Sequence, residues 1–235
     1  MVDSTSRVHV LIPAQNEELS LPHLLEALTG AAAVIVVDNG SVDRTADVAR
    51  EHGAQVVDEP RPGYGRACLA GLDFLGDADD DDVVAFFDAD GSDDPDLLGQ
   101  LVGPIVRGEA DLVLASRTLI PGERGALSPA QRFGNRLACS LVSRCWGVKY
   151  TDLAPCRALR LGALRSLNMS DPDFGWTVEM QIRAARQGLR IAEIPSHYRR
   201  RRAGVSKISG TLLGSVRAGT TILRVIAREL LFGRT

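Results

Sequence analysis

The sequence predicts an α/β protein with an open, doubly wound and mostly parallel sheet that carries helices on both faces. Short apolar runs alternate with helical patterns along the first half, and polar residues follow several of these runs directly. The chain of 235 residues is long enough to bury a full core without disulfides. Because ligands of open α/β sheets lie beyond the carboxyl ends of the strands, those polar residues are candidate site residues.

The first half predicts five strands separated by helices. The run at 33–37 is rich in β-branched residues, as expected of a buried parallel strand. Residues 21–28 have helical spacing, with Ser20 as a candidate N-cap and Pro22 in the first turn. In chain order we expect strand 8–12, helix 21–28, strand 33–37, helix 43–52, strand 54–57, helix 64–75, strand 83–87, helix 95–106 and strand 111–115.

The second half is less regular. A helix over 128–146 begins at a Ser-Pro pair and ends before Gly147, and a helix over 174–187 ends at Gly188. We expect an extended piece around 150–160, a last strand over 190–194 and a terminal helix from about residue 208. No internal repeat or linker is visible, which favours one domain.

Charge is distributed unevenly along the chain. The net charge of −3 hides an acidic body, −13 over residues 1–182, and a basic last part, +10 over residues 183–235. This asymmetry indicates an anionic partner for the last part. Nucleic acid is not expected, because only Tyr198 accompanies the basic run 199–202 and the body is acidic.

Cysteine and histidine spacing argues against a zinc site or a disulfide framework. The four cysteines form no C-x-x-C pair and the four histidines are scattered. No secretory signal and no run of about 18 apolar residues is visible. We therefore expect a cytoplasmic protein with free thiols.

Aspartates crowd residues 77–96. Those at 77–82 precede a strand and are interpreted as a solvated loop. Asp88 and Asp90 instead follow an apolar run directly, and residues two apart in an extended segment point the same way. Two such carboxylates repel each other unless they share a proton or hold a cation, and oxygen ligands of this kind suit Mg²⁺ or Mn²⁺. A capping or turn pair of aspartates is the alternative.

A second polar turn, residues 38–41, follows the second strand. Ser41 can cap the next helix, with Asp43 in its first turn. Neither role explains Asp38, whose carboxylate can accept a hydrogen bond from a base N–H or a ribose hydroxyl. Residues 63–66 lack the third glycine of a dinucleotide fingerprint and follow another strand, which disfavours a dehydrogenase, and a P-loop enzyme is disfavoured as well.

Taken in order, these motifs resemble the inverting family-2 glycosyltransferases of the GT-A fold, in particular the dolichyl- or polyprenyl-phosphate hexosyltransferases. The resemblance spans about residues 8–222. It rests on Pro13-Ala14-x-Asn16-Glu17, the turn 38–41, Gly65 with Gly71, Asp88-Ala89-Asp90-Gly91, Ala115-Ser116-Arg117, Thr151-Asp152-Leu153-x-Pro155-x-Arg157, Gly175-Trp176-Thr177-x-Glu179-Met180 and Gly204-x-Ser206-Lys207. It implies a GT-A catalytic domain over residues 1–210 and a C-terminal amphipathic helix over 211–235.

The resemblance also implies which residues hold the donor. Asp88 and Asp90 would bind Mg²⁺ or Mn²⁺, which neutralises the leaving diphosphate. His197 is a candidate third metal contact, with a structural role as the alternative. The expected nucleotide-sugar site comprises Pro13, Ala14, Asn16, Glu17, Asp38, Asn39, Ser41, Arg66, Asp88, Ala89 and Asp90.

On the acceptor side, Asp152 and Glu179 are the candidate catalytic carboxylates. Whether either acts as a base stays open, because a phosphate acceptor is already ionised near neutral pH. Trp176 could stack on a sugar or lie in the core, and Arg132 with Asn135 could bind a phosphate or form a solvated helix face. The expected acceptor and diphosphate site comprises Arg117, Arg132, Asn135, Arg157, Trp176, Arg199, Arg201, Ser206 and Lys207.

The predicted function is transfer of a hexose from a UDP- or GDP-sugar to a polyprenyl phosphate or related acceptor. A sugar-phosphate nucleotidyltransferase is an alternative, although no Gly-rich basic loop follows the first strand. A non-catalytic module that binds nucleotide sugars is another. The helix at 211–232 either packs on the body or lies on the inner face of an anionic membrane.

Overall fold

The computed structural model describes residues 6–28, 31–203 and 212–232. Seven strands form one sheet in the order β3-β2-β1-β4-β6-β5-β7. The strands are β1 (Val8–Ala14), β2 (Ala33–Asp38), β3 (Gln55–Asp58), β4 (Val83–Phe86), β5 (Leu112–Ser116), β6 (Arg157–Arg160) and β7 (Ile191–Pro195). All neighbours pair in parallel except β6, which is antiparallel to both β4 and β5. The predicted fold class is confirmed.

Eight α-helices of the described chain cover the two faces of the sheet, and a 3-10 turn over Pro95–Leu97 precedes the fourth of them. They are α1 (Leu21–Ala27), α2 (Thr45–Glu51), α3 (Tyr64–Phe74), α4 (Leu98–Val106), α5 (Pro129–Trp146), α6 (Leu161–Ser166), α7 (Trp176–Arg186) and α8 (Leu212–Phe232). Alternate residues of β1 enter different cores: Val10 and Ile12 pack with α1, α2 and α4, whereas Leu11 packs with α3, α5 and α7. The sheet therefore has a hydrophobic core on each side.

The second half contains two features that the sequence did not reveal. The extended piece expected at 150–160 is a strand only over Arg157–Arg160, and it lies between β4 and β5. Helix α6 follows it and was not predicted. The start of α5 is as expected, because Ser128 and Gln131 form a reciprocal capping box and Gly147 ends the helix at a φ of 75°.

Three local expectations were wrong. The side chain of Ser20 makes no capping bond to α1, and Asp43 rather than Ser41 accepts from the amide of Thr45 at the start of α2. Asp82 does not belong to a solvated loop, because it is buried and accepts hydrogen bonds from the Arg7 amide and the His9 ring.

The C-terminal helix packs on the body of the protein. Val225 and Ile226 of α8 belong to the core that α5 and α7 cover. Arg228 of α8 lies 2.7 Å from the buried carboxylate of Glu179. Within the described residues, no helix has the length and apolar character needed to cross a bilayer.

Candidate functional site

Two loops at the carboxyl edge of the sheet are bonded to each other. Asn16, after β1, has a left-handed φ of 53°, a conformation that asparagine tolerates. Its amide donates to Ser41 Oγ at 2.9 Å, and its Oδ1 accepts from the Val42 amide at 2.8 Å. The Ser41 amide in turn donates to Asp38 Oδ1 at 3.1 Å. The ends of β1 and β2 thus form one ordered surface, on which the predicted Asn16, Asp38 and Ser41 lie together.

Three other predicted donor residues near this surface, Pro13, Ala14 and Asn39, belong to the strands or connect them. Pro13 and Ala14 are the last residues of β1, and the Ala14 side chain is buried. Asn39 is also buried, and its side-chain amide ties β2 to the loop after β3. It donates to the carbonyls of Glu59 and Arg61 and accepts from the Gly63 amide. With its hydrogen-bonding capacity used in this way, Asn39 is not available to a ligand, and its assignment to the nucleotide-sugar site is corrected.

Arg66 lies in the first turn of α3, next to the segment before α7. Its amide donates to the Pro172 carbonyl at 3.1 Å. The neighbouring Gly65 has a structural reason of its own, because a Cβ there would collide with the carbonyl oxygen of Asp171. The close approach of α3 to residues 171–172 therefore requires glycine at position 65.

Three carboxylates gather after β4. Asp88 and Asp90 flank Ala89, whose side chain is buried. Asp93 is 2% exposed and accepts a hydrogen bond from the Asp88 amide at 3.2 Å. Burial, followed by repulsion from Asp93 and Asp90, holds the pKa of Asp88 well above its ordinary range. Burial and the charge of Asp90 likewise raise the pKa of Asp93 to about 7. Asp93 was not predicted as a site residue, because its signal is hidden in the run of aspartates around it.

This donor set fits a hard divalent cation. Crowded carboxylate oxygens that destabilise each other's charge are relieved by a bound cation, and Mg²⁺ and Mn²⁺ prefer oxygen ligands. The described part of the chain contains no group of three or more His, Cys, Asp or Glu arranged to enclose a metal by itself. The arrangement suits an ion held by one or two carboxylates together with substrate phosphates.

Residues 199–202, here called the arginine strap, cross this edge of the sheet. The Arg199 amide donates to the Ser92 carbonyl, and the Arg202 amide donates to the Asp90 carbonyl. Arg201 Nη1 lies 2.7 Å from Glu17 Oε1, and its Nε lies 3.5 Å from Asp90 Oδ2. The guanidinium of Arg201 therefore bridges the ends of β1 and β4, between a predicted donor residue and a predicted metal ligand.

A cavity of about 1120 Å³ opens beside the strap, between α5 and the loop 117–127. Its lining is strongly basic and includes one carboxylate, that of Glu123. Leu119 and Ile120 add exposed apolar surface. Three of the predicted acceptor residues line this cavity: Arg117, Arg132 and Asn135. Three further basic residues that were not predicted as site residues line it as well: Arg136, Arg144 and Lys149.

Arg117 lies at the end of β5 and lines this cavity. Its Nε and Nη2 donate to the two carboxylate oxygens of Asp152, each at 2.8 Å, and its guanidinium lies 5.2 Å from the ring centre of Tyr198. Burial lowers the pKa of Arg117, but the charge and hydrogen bonds of Asp152 outweigh it, so the pKa lies above the ordinary value. Tyr198 was missed as a site residue, and its only signal is its place before the strap.

The strap and the cavity share a wall. The Glu123 amide donates to the Tyr198 carbonyl at 2.8 Å, and Glu123 Oε2 accepts from the Arg200 amide at 2.7 Å. The Arg200 side chain also donates to the carbonyl of Arg124. The loop 117–127 and the strap are thus joined by hydrogen bonds. These bonds connect the basic cavity with the carboxyl edge of the sheet, here called the donor edge after the predicted donor residues that lie there: Asn16, Asp38 and Asp90.

Two predicted acceptor residues lie elsewhere. Trp176 is 1% exposed and packs against Phe86, with ring centres 6.4 Å apart, so its proposed stacking on a sugar is wrong for this fold. Arg157 is equally buried and donates to the carbonyls of Leu153, Ala154 and Thr177. Its assignment to the acceptor site is corrected, because the Arg157 guanidinium binds these backbone carbonyls inside the core and is not exposed to a ligand.

The structure also places Glu179 in the helical layer, outside the cavity lining. Its carboxylate is fully buried and accepts from the amides of Ser170 and Asp171 and from the Arg228 side chain. A base must reach the proton that it removes. Glu179 does not reach the cavity, so its assignment as a catalytic carboxylate is corrected to a structural role between α7 and α8.

The remaining predicted residues lie before, in or after the strap. His197 is exposed, just before Tyr198. Arg199 pairs with Asp94 at 3.0 Å. Ser206 and Lys207 lie outside the described residues, so their expected contacts with the diphosphate stay predictions.

Comparison with known proteins places this arrangement among sugar-transferring enzymes. The model of glycosyl transferase family 2 matches residues 9–167. An uncharacterized glycosyltransferase of Mycobacterium tuberculosis is 40% identical over 220 residues, which cover 94% of this chain and 98% of that protein. The undecaprenyl-phosphate mannosyltransferase of Micrococcus luteus is 35% identical over 236 residues, covering 94% and 96%.

A solved structure shares the fold. Glucosyl-3-phosphoglycerate synthase from Mycobacterium tuberculosis, in complex with Mn²⁺, uridine diphosphate and glucosyl-3-phosphoglycerate, matches with a TM-score of 0.76 at 24% identity. The match covers 97% of this chain and 81% of that chain. The similarity therefore extends over nearly the whole chain rather than over one motif.

Proposed function

This chain belongs to glycosyl transferase family 2, with the GT-A fold, and we propose that it transfers a hexose from a nucleotide-diphosphate sugar to a polyprenyl phosphate with inversion. That the protein is a hexosyltransferase follows from its family and relatives. The observation that carries the choice of acceptor is the basic cavity beside the donor edge, with Arg117 in its lining and apolar residues around it. A related enzyme acts on undecaprenyl phosphate, as its name states.

On the donor side, the interlocked loops after β1 and β2 would hold the nucleoside. Asp38 offers a carboxylate to a base or ribose. Asn16, which follows β1, is linked to Asp38 through Ser41, and Glu17 is the next residue. Asp88 and Asp90 would hold Mg²⁺ or Mn²⁺, an ion that supplies Lewis-acid neutralisation of the diphosphate when bound. The strap arginines would contact the diphosphate oxygens, because a guanidinium binds phosphate in a bidentate manner.

On the acceptor side, the cavity combines charge with apolar surface. Leu119 and Ile120 are exposed apolar residues of its lining. Phe133 and Leu137, which are 71% and 40% exposed, lie on α5 outside that lining. Apolar side chains among cations suit a lipid tail with an anionic headgroup at a membrane surface. Peripheral contact with a membrane through this face is part of the proposal.

The chemistry needs little proton transfer. A phosphate monoester is already ionised near neutral pH. One of its oxygens attacks the anomeric carbon, and the bond from that carbon to the diphosphate oxygen breaks, with the electron pair leaving on the diphosphate. Arginine side chains on both sides would hold the two anions in line, which is the positioning contribution to catalysis.

The test is transfer of labelled hexose from UDP-glucose, UDP-GlcNAc or GDP-mannose to undecaprenyl phosphate with Mn²⁺ or Mg²⁺. An organic-soluble product with inverted anomeric configuration is expected from one donor. Release of pyrophosphate from UTP and a sugar phosphate would instead indicate a nucleotidyltransferase. Donor binding without any transfer to the lipid phosphate would contradict the proposed acceptor.

A further inference from the structure

The pair formed by Asp152 and Arg117 has a fixed geometry. The backbone N–H and Nε of Arg117 both donate to Asp152 Oδ2, and Arg117 Nη2 donates to Asp152 Oδ1, all at 2.8 Å. A bidentate bond of this kind holds a guanidinium in one plane and one orientation. The Arg117 side chain therefore has its position set by Asp152.

Further contacts hold the pair from behind and from the side. Gln181 of α7 donates to the Asp152 carbonyl at 2.9 Å, and the Tyr150 hydroxyl donates to the Gln181 carbonyl at 2.7 Å. The Tyr198 ring packs on the guanidinium. These contacts come from three separate segments of the chain, so the pair is part of a rigid support.

One nitrogen of the Arg117 guanidinium is not used by the pair with Asp152. Among the described residues Arg117 Nη1 has no hydrogen-bond partner, and the Arg117 side chain, 14% exposed, lines the basic cavity. Asp152, in contrast, is fully buried and does not line the cavity. A group that reaches a substrate here is therefore the guanidinium and not the carboxylate.

We propose that Asp152 is a positioning residue, which holds Arg117 so that its free N–H groups bind the acceptor phosphate, and that it is not the general base of the transfer. The proposal rests on the proposed function for the identity of the acceptor. It replaces the expectation that Asp152 is a catalytic carboxylate. It also agrees with an acceptor that needs no deprotonation near neutral pH.

The kinetic test is Asp152→Asn. This change removes the negative charge and replaces one of the two carboxylate oxygens that accept hydrogen bonds from Arg117 by an NH2 group. We expect the KM for undecaprenyl phosphate to rise about 10- to 100-fold, as for loss of a hydrogen bond to a charged group, with kcat changed less than about 5-fold. The pH profile of kcat should keep its shape. Removal of a general base would instead lower kcat about 10²- to 10⁴-fold and change that profile, which would overturn the proposal.

The chain offers a matched control. Asp111 and Arg190 repeat the same pattern, with the Arg190 amide and Nε on Asp111 Oδ2 and Nη2 on Oδ1, away from the cavity. Asp111→Asn should leave both KM and kcat at the wild-type values. If it raises the KM as much as Asp152→Asn does, the effect is general and the proposal fails.

A second pair of variants protects the test against misfolding. Asp152→Ser removes the carboxylate without placing an amide N–H against the guanidinium, and it should show the same rise in KM. Arg117→Lys keeps the positive charge but loses the bidentate bond. If Asp152 acts through Arg117, the two changes are non-additive in KM, whereas independent, additive effects would overturn the proposal.

A binding measurement separates this proposal from the proposed reaction. Geranyl phosphate, a short prenyl phosphate, is titrated calorimetrically into each variant without any donor. Weaker binding by Asp152→Asn, about 10-fold or more, with wild-type binding by Asp111→Asn, supports the positioning role even if no hexose is transferred. Equal binding by wild type and Asp152→Asn, or no binding by wild type, overturns the positioning role whatever the enzyme transfers.

Discussion

Replacing Arg201 should change the affinities for two ligands in opposite directions: Mn²⁺ should bind more tightly and a nucleoside diphosphate less tightly. In the structure its guanidinium bridges Glu17 and Asp90, with side-chain exposures of only 5% for Glu17 and 17% for Asp90. A cation is thus already present beside a carboxylate that we assign to the metal. Replacing Arg201 by Gln removes this competing charge, and the carboxylate becomes freer to bind a divalent ion.

The size of the effect follows from the contact. Arg201 Nε lies 3.5 Å from Asp90 Oδ2 and makes no hydrogen bond among the described residues, so the contact is an ion pair between two partly exposed side chains. Such a pair contributes up to about 1 kcal/mol, which corresponds to roughly a 5-fold change in a dissociation constant. We expect Arg201→Gln to bind Mn²⁺ alone about 5-fold more tightly than wild type. In the presence of Mn²⁺, binding of a nucleoside diphosphate should become weaker, because a diphosphate contact is lost.

Electron paramagnetic resonance of free Mn²⁺ measures the first affinity, and calorimetry with UDP or GDP measures the second. Arg199→Gln is the matched control. It removes one positive charge from the strap, as Arg201→Gln does, but the wild-type Arg199 pairs with Asp94 and not with Asp90. It should change Mn²⁺ affinity much less than Arg201→Gln does. Unchanged or weaker Mn²⁺ binding by Arg201→Gln would refute the reasoning, as would an equal effect of both variants.

Three further variants test the fold around the site. Gly65→Ala should lower the free energy of unfolding by about 1–3 kcal/mol in urea titrations, because the new methyl group meets the Asp171 carbonyl. Trp176→Phe should lower it by about 1–3 kcal/mol yet leave the KM for donor and acceptor within about 2-fold, since Trp176 lies in the core. Burial raises the pKa of Asp82, and hydrogen bonds from His9 and Arg7 outweigh this, leaving the pKa below its ordinary value. Asp82→Asn should therefore be less stable than wild type at pH 7. The difference should shrink as the pH falls below about 5 and vanish only below the pKa of Asp82 in the folded protein, which lies under the ordinary value of about 4.

Each of these variants has a control or a contradicting result. Gly99→Ala, in a helix with nothing within 4 Å of the new Cβ, should be neutral or stabilising. A rise in KM for Trp176→Phe without loss of stability would restore its role in stacking on a sugar. A stability difference for Asp82→Asn that persists undiminished at pH 3 would show that packing, and not the charge of the carboxylate, accounts for it.

The donor edge was predictable because its chemistry follows directly after regular strands. The polar residues after β1, β2 and β4 stand next to apolar runs that are easy to recognise, and parallel strands bring their carboxyl ends to one edge. The structure places Asp38 and Asp90 at the ends of β2 and β4, as this rule predicts, and their roles in donor and metal binding stay predictions. For Asn39 the rule predicted the wrong role, since the same position equally suits an amide that ties β2 to the loop after β3.

The acceptor side was less predictable because it depends on long-range pairing. Strand β6 has four residues and pairs with β4, more than seventy positions earlier in the chain, so no local pattern marks it. Once β6 enters the sheet, Arg157 at its start is buried. The helical spacing of Trp176 and Glu179 fits a core face as well as a ligand face, and only packing against Phe86 and α8 distinguishes the two.

The acceptor class is the central claim, and a competition experiment tests it most directly. Wild-type enzyme receives one labelled nucleotide sugar, Mn²⁺, and equal concentrations of undecaprenyl phosphate and 3-phosphoglycerate, the latter representing the small phosphorylated acceptor of the structurally similar synthase. We predict that the label enters the organic-soluble lipid product and that Arg117→Gln abolishes most of this transfer. Label in a water-soluble glycosyl phosphoglycerate, with none in the lipid fraction, would contradict the account.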